Sequence, residues 1–273
     1  MLVFKGKHYL KKKLLPLLKV KDGLADYFRR RKGKRPNVNK KDPKRKFYLY
    51  FSPGDVKIYF DSSLIPLYKR GYRVGGHFAP MKESLASGLV KLAGWKGERP
   101  LFDPFCGTGT IPMEALLQIN GVQPGFMRKK WSLDVFSSES SKLIEEYKRL
   151  PEFKRNAVIY GRDKESVGIP KRSLERFTGR ELIKFEEGDF FSCDPPEESG
   201  IVITNPPFDE RMKRPASFFR SIGDTMKQRY NNWDFYIFTG NLEVLKKIGL
   251  RTKKRFIIKN GSLDSRLAHY PVF

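Results

Sequence analysis

Two patterns of apolar and polar residues alternate along the second half of this chain. Short runs of β-branched and aromatic residues predict strands, and apolar residues at every third or fourth position predict helices. The predicted strands are 99–103, 157–161, 182–188, 200–204, 234–240 and 255–260. The predicted helices are 110–120, 138–149, 164–178, 214–230 and 241–248. This alternation predicts an α/β fold with a mostly parallel, doubly wound sheet.

The first part of the chain has a different pattern. Residues 21–32 predict a short helix, and 31–46 read as a loop dense in charge. The aromatic runs 47–51 and 56–60 are separated by a turn signal and predict a hairpin. A further amphipathic helix is predicted at 81–94. We therefore expect three parts: a small basic α+β module at 1–65, a linking segment and helix at 66–95, and an α/β domain at 96–273.

Charge indicates the class of partner. The 273 residues include 55 Lys and Arg against 30 Asp and Glu, and residues 1–46 alone hold 18 against 3. So uneven an excess of positive charge predicts a polyanion such as RNA as the partner. No apolar run reaches the length of a membrane span, so no membrane is expected. Two cysteines and three histidines argue against a disulfide framework or a metal centre, and a reduced cytoplasm is the expected compartment.

Candidate chemistry lies where the predicted strands end, since open parallel sheets bind ligands at that edge. The first strand leads into Asp-Pro-Phe-Cys-Gly-Thr-Gly-Thr at 103–110, where two glycines let the backbone approach a ligand closely. Asp163 follows the second strand, at a position where an acid commonly binds ribose hydroxyls. Asp189 and Phe190 follow the third, where a carboxylate and a ring can hold an adenine. A solvated loop acid is an equally ordinary reading of each.

The fourth strand is followed by Asn205-Pro206-Pro207-Phe208. Two prolines fix the backbone and remove two N–H donors. The Asn side-chain oxygen and a proline carbonyl can then accept from a substrate NH₂ group, while the Phe ring faces a planar base. A structural Pro-Pro turn is the alternative reading.

These two motifs, in this order, resemble those of the S-adenosylmethionine-dependent amino-methyltransferases. The segments 69–73, 77–86, 123–125 and 259–264 extend the resemblance to the RNA guanine-N2 methyltransferases that pair a THUMP domain with a Rossmann-like class I methyltransferase domain, favouring the bacterial large-subunit rRNA branch. The resemblance covers about 56–273. Only about 55 residues precede the link, so we expect either a truncated or degenerate THUMP part or a basic arm in its place. The last strand is expected to be short.

The resemblance implies the cofactor S-adenosyl-L-methionine and a role for each candidate residue. The implied catalytic residues are Asn205, Pro206, Pro207 and Phe208. The implied cofactor-binding residues are Asp103, Pro104, Phe105, Cys106, Gly107, Gly109, Asp163, Asp189 and Phe190. The predicted RNA contacts are Arg70, Arg73, Arg211, Lys213 and Arg214, and no metal ligand is predicted.

Several functions remain open at this stage. The favoured one is methylation of the N2 amine of a guanine in RNA, with rRNA favoured over tRNA. A DNA adenine-N6 methyltransferase and a protein glutamine methyltransferase use the same amine-holding tetrapeptide. A non-catalytic RNA-binding protein of ribosome assembly is the alternative from another class. The oligomeric state is open.

Overall fold

A computed structural model describes residues 2–5, 14–37, 39, 42–52, 54–75, 80–133, 137–149, 157–165, 167–177, 179–207 and 216–273. The chain divides into two compact units. The first comprises Met1–Leu67 and Arg128–Lys148, and the second comprises Tyr68–Met127 and Arg149–Phe273. The segment Arg128–Lys148 lies inside the predicted domain 96–273 but packs with the first unit.

The helices and strands are, in chain order, β1 (Leu2–Lys5), α1 (Leu14–Lys32), β2 (Phe47–Ser52), β3 (Asp55–Phe60), α2 (Glu83–Ala93), β4 (Leu101–Asp103), α3 (Thr110–Ile119), α4 (Ser138–Tyr147), β5 (Ile159–Asp163), α5 (Gly168–Leu174), β6 (Ile183–Glu187), β7 (Gly200–Thr204), α6 (Ala216–Arg229), β8 (Trp233–Thr239), α7 (Leu242–Lys247), β9 (Lys254–Asn260) and β10 (Leu263–Pro271). A single turn of 3₁₀ helix, Arg180–Leu182, precedes β6.

The first unit contains a three-stranded sheet of order β1-β2-β3. Its β2 and β3 pair antiparallel from Phe47↔Phe60 to Ser52↔Asp55, so the predicted hairpin is confirmed. The predicted helix at 21–32 is too short, because α1 begins at Leu14. Pro16 lies in its first turn, where a missing N–H breaks no intrahelical hydrogen bond.

A tight turn explains why a segment from the middle of the chain joins the first unit. Leu64 has a left-handed backbone with φ of 62°. The Arg128 guanidinium donates to the carbonyls of Ser63, at 2.9 Å, and of Ile65. Lys46 Nζ donates to the Leu64 carbonyl at 2.6 Å. Two cations thus satisfy three successive carbonyl groups, and this hydrogen bonding ties the two parts of the sequence together.

The second unit is built on a seven-stranded sheet of order β6-β5-β4-β7-β8-β10-β9. The first five strands in this order run parallel, and β10 pairs antiparallel with both β8 and β9. The expectation of a short last strand is wrong, because β10 is nine residues long. Its inner position, between two strands, gives each side a complete ladder of hydrogen bonds.

Helices cover both faces of this sheet. One buried cluster contains Leu89 of α2, Leu116 of α3 and Leu174 of α5. The other contains Met226 of α6 and Leu245 of α7. The predicted Rossmann-like α/β class is confirmed, with helices that pack on both faces of a mostly parallel sheet.

Neither a membrane-spanning helix nor a metal-binding cluster occurs among the described residues. None of the helices in those ranges combines the length and apolar character that a membrane span requires. The same ranges contain no group of three or more His, Cys, Asp or Glu side chains placed to hold a metal ion.

Gly223 is required by the packing of α6 against the end of α7. A Cβ added there would lie 1.7 Å from the carbonyl oxygen of Ile248, which is backbone and cannot rotate away. We expect Gly223→Ala to lower the free energy of unfolding by about 2 kcal/mol or more, since the helices must move apart. Chemical denaturation followed by circular dichroism measures this.

Gly88 in α2 is the matched control, because a Cβ there meets nothing within 4 Å. Gly88→Ala should raise the free energy of unfolding by about 0.5–1 kcal/mol through helix propensity. Equal effects of the two substitutions would contradict the packing argument.

Candidate active site

The candidate site lies where strand order reverses between β4 and β7. The chain leaves β4 for α3 on one face of the sheet and leaves β7 for α6 on the other. Backbone pairing between these strands is limited to Leu101↔Ile201 and Phe102↔Val202, although β7 continues to Thr204. The strands therefore separate at their carboxyl ends, which is where open α/β sheets form a ligand crevice.

Asp103 ends β4 inside this crevice and is 2% exposed. Its Oδ1 accepts hydrogen bonds from Thr204 Oγ1 at 2.7 Å and from the Phe105 N–H at 3.3 Å. Burial raises the pKa of Asp103 to about 7, while these two hydrogen bonds act against the rise and the nearby Asp163 adds to it. Among the described residues none donates to Oδ2. The site thus holds a buried carboxyl group whose Oδ2 has no donor among these residues and can meet a cation.

The glycine-rich loop after Asp103 has two glycines with different tasks. Gly109 begins α3 with φ of 72°, and a Cβ there would lie 2.7 Å from the Phe185 ring and 2.8 Å from Pro170. Gly107 has φ of 51°, and a Cβ there would meet nothing within 4 Å. Gly109 is therefore needed for packing within the protein, whereas Gly107 presents bare backbone to open space, as a loop that cradles a ligand requires.

Asp163, at the end of β5, holds this loop in place. Its Oδ2 accepts from the Gly107 N–H at 3.0 Å, and its Oδ1 accepts from the Glu165 N–H at 3.0 Å. Each carboxylate oxygen can accept a second hydrogen bond, so capacity for ribose hydroxyls remains. The ribose contact itself stays a prediction.

Two other residues of the loop are packed inside the protein. Cys106 is 6% exposed, and burial raises the pKa of its thiol well above the ordinary value, so it is a neutral packing group. Its N–H donates to the Arg162 carbonyl at 2.9 Å. Phe105, next to Pro104, is half-buried against Phe190.

Asp189 follows β6 and keeps a carboxylate at the sheet edge. Its Oδ1 accepts from the Phe191 N–H at 3.1 Å and its Oδ2 accepts from Lys164 Nζ at 2.8 Å. Partial burial opposes ionisation, but the hydrogen bonds from Lys164 and Phe191 prevail and lower the pKa of Asp189. Asp189 is therefore ionised at neutral pH and able to accept from an amino group.

Phe190 is placed differently from the sequence prediction. Its ring is 1% exposed and stacks on Tyr230 with ring centroids 5.2 Å apart. Because the Phe190 ring is packed in this way, it does not offer an open face to an adenine, and its position favours a role in the hydrophobic core. Phe191, which the sequence analysis missed, is half-buried at the same edge and packs edge-on against Phe218.

Asn205 follows β7 directly, and its Oδ1 is buried without a hydrogen-bond partner among the described residues. A buried acceptor without a hydrogen bond costs about 1–3 kcal/mol, so a donor group on a bound substrate would be favourable here. Pro206 is buried and Pro207 half-buried, as a rigid support for that side chain requires. The remaining predicted residues here lie outside the described ranges: Phe208, Arg211, Lys213 and Arg214.

The predicted RNA contacts Arg70 and Arg73 are engaged within the second unit. Arg70 is 7% exposed and donates through Nη2 to Glu114 of α3 at 3.2 Å. Arg73 Nη2 lies 3.3 Å from Glu83 and donates to Thr110 Oγ1 at 3.2 Å. Both arginines thus hold helices that carry the glycine-rich loop or flank it, which favours a structural role, and their contact with RNA stays a prediction.

Thr204 is a second residue of this site that the sequence analysis missed. It reads as an ordinary β-branched residue of a buried strand, and nothing in the pattern distinguishes it. Only the approach of β4 and β7 brings its hydroxyl to Asp103.

Comparison with known proteins assigns the chain to a family. Residues 70–269 match the family model UPF0020, the RMKL-like methyltransferase domain. The chain belongs to this methyltransferase family. The matched region includes the glycine-rich loop and the Asn-Pro-Pro segment.

Individual relatives agree with this family. The chain is 33% identical over 266 residues to slr0064 of Synechocystis sp., named as an RNA methyltransferase, and the match covers 94% of this chain and 69% of that protein. It is 32% identical over 279 residues to the ribosomal RNA large subunit methyltransferase K/L of Shewanella pealeana, covering 97% of this chain. That match spans only 39% of the Shewanella protein, so the chain is much shorter than that relative.

Solved structures confirm the fold. SMU.472, described as a methyltransferase and solved in complex with SAH, superposes with a TM-score of 0.82 at 22% identity, covering all of this chain and 74% of that one. A second solved structure is that of a Listeria monocytogenes protein described as a predicted N6-adenine-specific DNA methylase. It superposes with a TM-score of 0.81 at 25% identity, covering all of this chain and 73% of that one.

The raised pKa of Asp103 has a consequence for stability. Below about pH 4 the carboxyl group is protonated in both the folded and the unfolded chain, and between about pH 4 and 7 only the unfolded chain ionises. The free energy of unfolding therefore falls as pH rises through this window, and it falls no further above about pH 7. We expect Asp103→Asn to remove this cost, stabilising the protein by on the order of 3 kcal/mol more at pH 8 than at pH 4.5.

Thermal unfolding at both pH values measures this difference. Asp224→Asn is the control, because Asp224 lies on the surface of α6 with its side chain 51% exposed. A gain for Asp103→Asn that is the same at pH 4.5 and pH 8 would refute the assignment of this cost to Asp103.

Proposed function

We propose that this chain is an S-adenosylmethionine-dependent methyltransferase that methylates the exocyclic N2 amine of a guanine in RNA, with large-subunit rRNA as the favoured substrate. The observation that carries the proposal is the buried Oδ1 of Asn205, which has no hydrogen-bond partner among the described residues and belongs to a segment with two prolines after β7. Within a methyltransferase family, an unpaired amide acceptor at this edge fits an amine substrate.

The residues present fit this cofactor. Asp103 offers Oδ2 to an ammonium group, and Gly107 leaves open space beside its backbone. Asp163 and Asp189 follow the next two strands along the sheet edge and retain acceptor capacity for hydroxyl and amino groups. The bound cofactor supplies an electrophilic methyl group, and the carboxylates would hold and orient it.

The amine is held by the segment after β7. Asn205 Oδ1 and the Pro206 carbonyl would each accept one N–H of the amine, which aims the nitrogen lone pair away from them. Both acceptors also favour the positive charge that grows on the nitrogen as it attacks. The proton is acidic once that charge develops, so fixed geometry and placed dipoles are sufficient and no strong base is required.

RNA as substrate is supported by charge and by the relatives. The first unit contains 24 Lys and Arg against 9 Asp and Glu, and α1 ends on four consecutive basic residues. Both curated relatives described above carry RNA methyltransferase names, and one of them names ribosomal RNA. Adenine in DNA is the second candidate substrate, because the Listeria protein is described as a predicted N6-adenine-specific DNA methylase. The experiment below distinguishes this substrate from RNA.

Asn205→Ala should lower the rate of methyl transfer by about 10²–10³-fold, because it removes one preorganised acceptor from the amine. Cofactor affinity should change little. The measurement is transfer of labelled methyl groups to total RNA, DNA and protein from a strain that lacks this gene, followed by mass spectrometry of the nucleosides and amino acids, with calorimetry for the cofactor.

Asn241→Ala is the control for this substitution. Asn241 caps α7, where its Oδ1 accepts from the Glu243 N–H at 3.1 Å, so its loss costs stability but no transfer. N2-methylguanosine in the large rRNA supports the proposal. N6-methyladenine in DNA, methylated glutamine in protein, or transfer unaffected by Asn205→Ala would each overturn it.

The basic end of α1 should contribute to RNA affinity through phosphate contacts. Changing Arg29, Arg30 and Arg31 together to Gln should weaken binding and flatten the plot of log affinity against log salt, by up to about 0.7–0.9 for each lost phosphate contact. Fluorescence anisotropy with rRNA fragments at several salt concentrations measures the slope. Changing Lys246 and Lys247 on α7 to Gln is the control, and an equal loss of slope in both variants would refute a specific role for α1.

A further inference from the structure

Thr204 stands between the two halves of the proposed site. It is the last residue of β7 and precedes Asn205 directly, yet its side chain faces Asp103 of the neighbouring strand. The side chain is 2% exposed, and its hydroxyl lies 2.7 Å from Asp103 Oδ1. Within the described ranges, Thr204 is the one side chain that hydrogen-bonds to this carboxyl group.

The hydrogen bond spans the gap that opens between the two strands. The backbone pairs of β4 and β7 end at Phe102↔Val202, so beyond that point no ladder among the described residues fixes their separation. The Thr204 hydroxyl bonds to Asp103 across this gap. Its distance is the commonest one for O–H···O bonds and is also within the range for a hydroxyl that donates to a carboxylate.

We propose that Thr204 is a positioning residue for cofactor binding: its hydroxyl donates to Oδ1 of Asp103, orients that carboxyl group, and leaves Oδ2 to receive the ammonium group of the cofactor. This inference rests on the proposed function only for the identity of the cofactor.

The surroundings of Asp103 explain why the hydroxyl is needed. Burial favours the protonated, neutral carboxyl group, and the Asp163 carboxylate on β5 adds to that effect. The adjacent Cys106 is a neutral thiol and does not compensate. The Phe105 N–H, at 3.3 Å, is the other described donor, and it is the longer of the two contacts. Without the Thr204 hydroxyl, the long hydrogen bond from Phe105 is the one described contact that still opposes the effect of burial on Asp103.

The test is the pH dependence of cofactor affinity, measured by calorimetry with S-adenosylmethionine and with S-adenosylhomocysteine from pH 6 to pH 9 and without RNA. In the wild type, affinity should fall about tenfold for each pH unit below the pKa of Asp103, because the proton must leave first. Thr204→Val should move the midpoint up by about one pH unit, which weakens binding about tenfold at pH 6 and about threefold at pH 7.5. Thr204→Ser should restore both.

Thr239→Val is the matched control. Thr239 is also buried and ends the next strand, β8, but its hydroxyl contacts only the backbone of Asn241 among the described residues, accepting from the N–H at 3.0 Å. Thr239→Val should bind the cofactor with the same pH midpoint as the wild type. If Thr204→Val does not fold, Thr204→Cys keeps a weaker donor of similar size and should show a smaller shift in the same direction.

Three results of this experiment would contradict the role of Thr204. A loss of affinity that is equal at every pH, an unmoved midpoint, or a Thr204→Ser variant that behaves like Thr204→Val would overturn the role of Thr204 and leave the proposed function intact. Absence of cofactor binding by the wild type would overturn the proposed cofactor as well. Since no RNA is present, neither result depends on which base is methylated.

Discussion

A buried carboxylate sits where the parallel sheet of the second unit divides. Strands β4 and β7 lead to helices on opposite faces, so they must separate at their carboxyl ends, and Asp103 lies in the resulting crevice at 2% exposure. Burial alone would neutralise this group, whereas a cation-binding role requires its charge. Two hydrogen bonds, from Thr204 and Phe105, hold its pKa at about 7 rather than higher. Burying this charge lowers the free energy of unfolding of the protein without its cofactor.

The rest of the site is built outward from that position. Asp163 receives the N–H of Gly107, which fixes the loop that Asp103 begins. Gly109 lets the same loop pack on Phe185 of β6. Arg70 donates to Glu114 of α3, and Arg73 donates to Thr110 in the first turn of that helix. The loop is therefore fixed by contacts on several strands and helices, and this rigidity is what a site needs if it acts by positioning.

Charge and chemistry are divided between the two units. The first unit carries a large excess of basic residues, with 24 Lys and Arg against 9 Asp and Glu. The second unit contains the acidic residues at the ends of β4, β5 and β6. Anionic RNA and the cationic group of the proposed cofactor call for opposite charges, which the basic first unit and these acidic residues supply.

Much of this protein was determined by the sequence alone. Strand and helix periodicities predicted the α/β class and the positions of β4 to β9, because a buried parallel sheet imposes its own pattern of apolar residues. The Asp-Pro-Phe-Cys-Gly-Thr-Gly-Thr and Asn-Pro-Pro motifs indicated the site, because glycine and proline constrain the backbone locally. Tertiary structure decided the rest. It joined Arg128 to the first unit, buried the Phe190 ring and brought Thr204 to Asp103, since such contacts depend on distances between segments far apart in sequence, which no local pattern records.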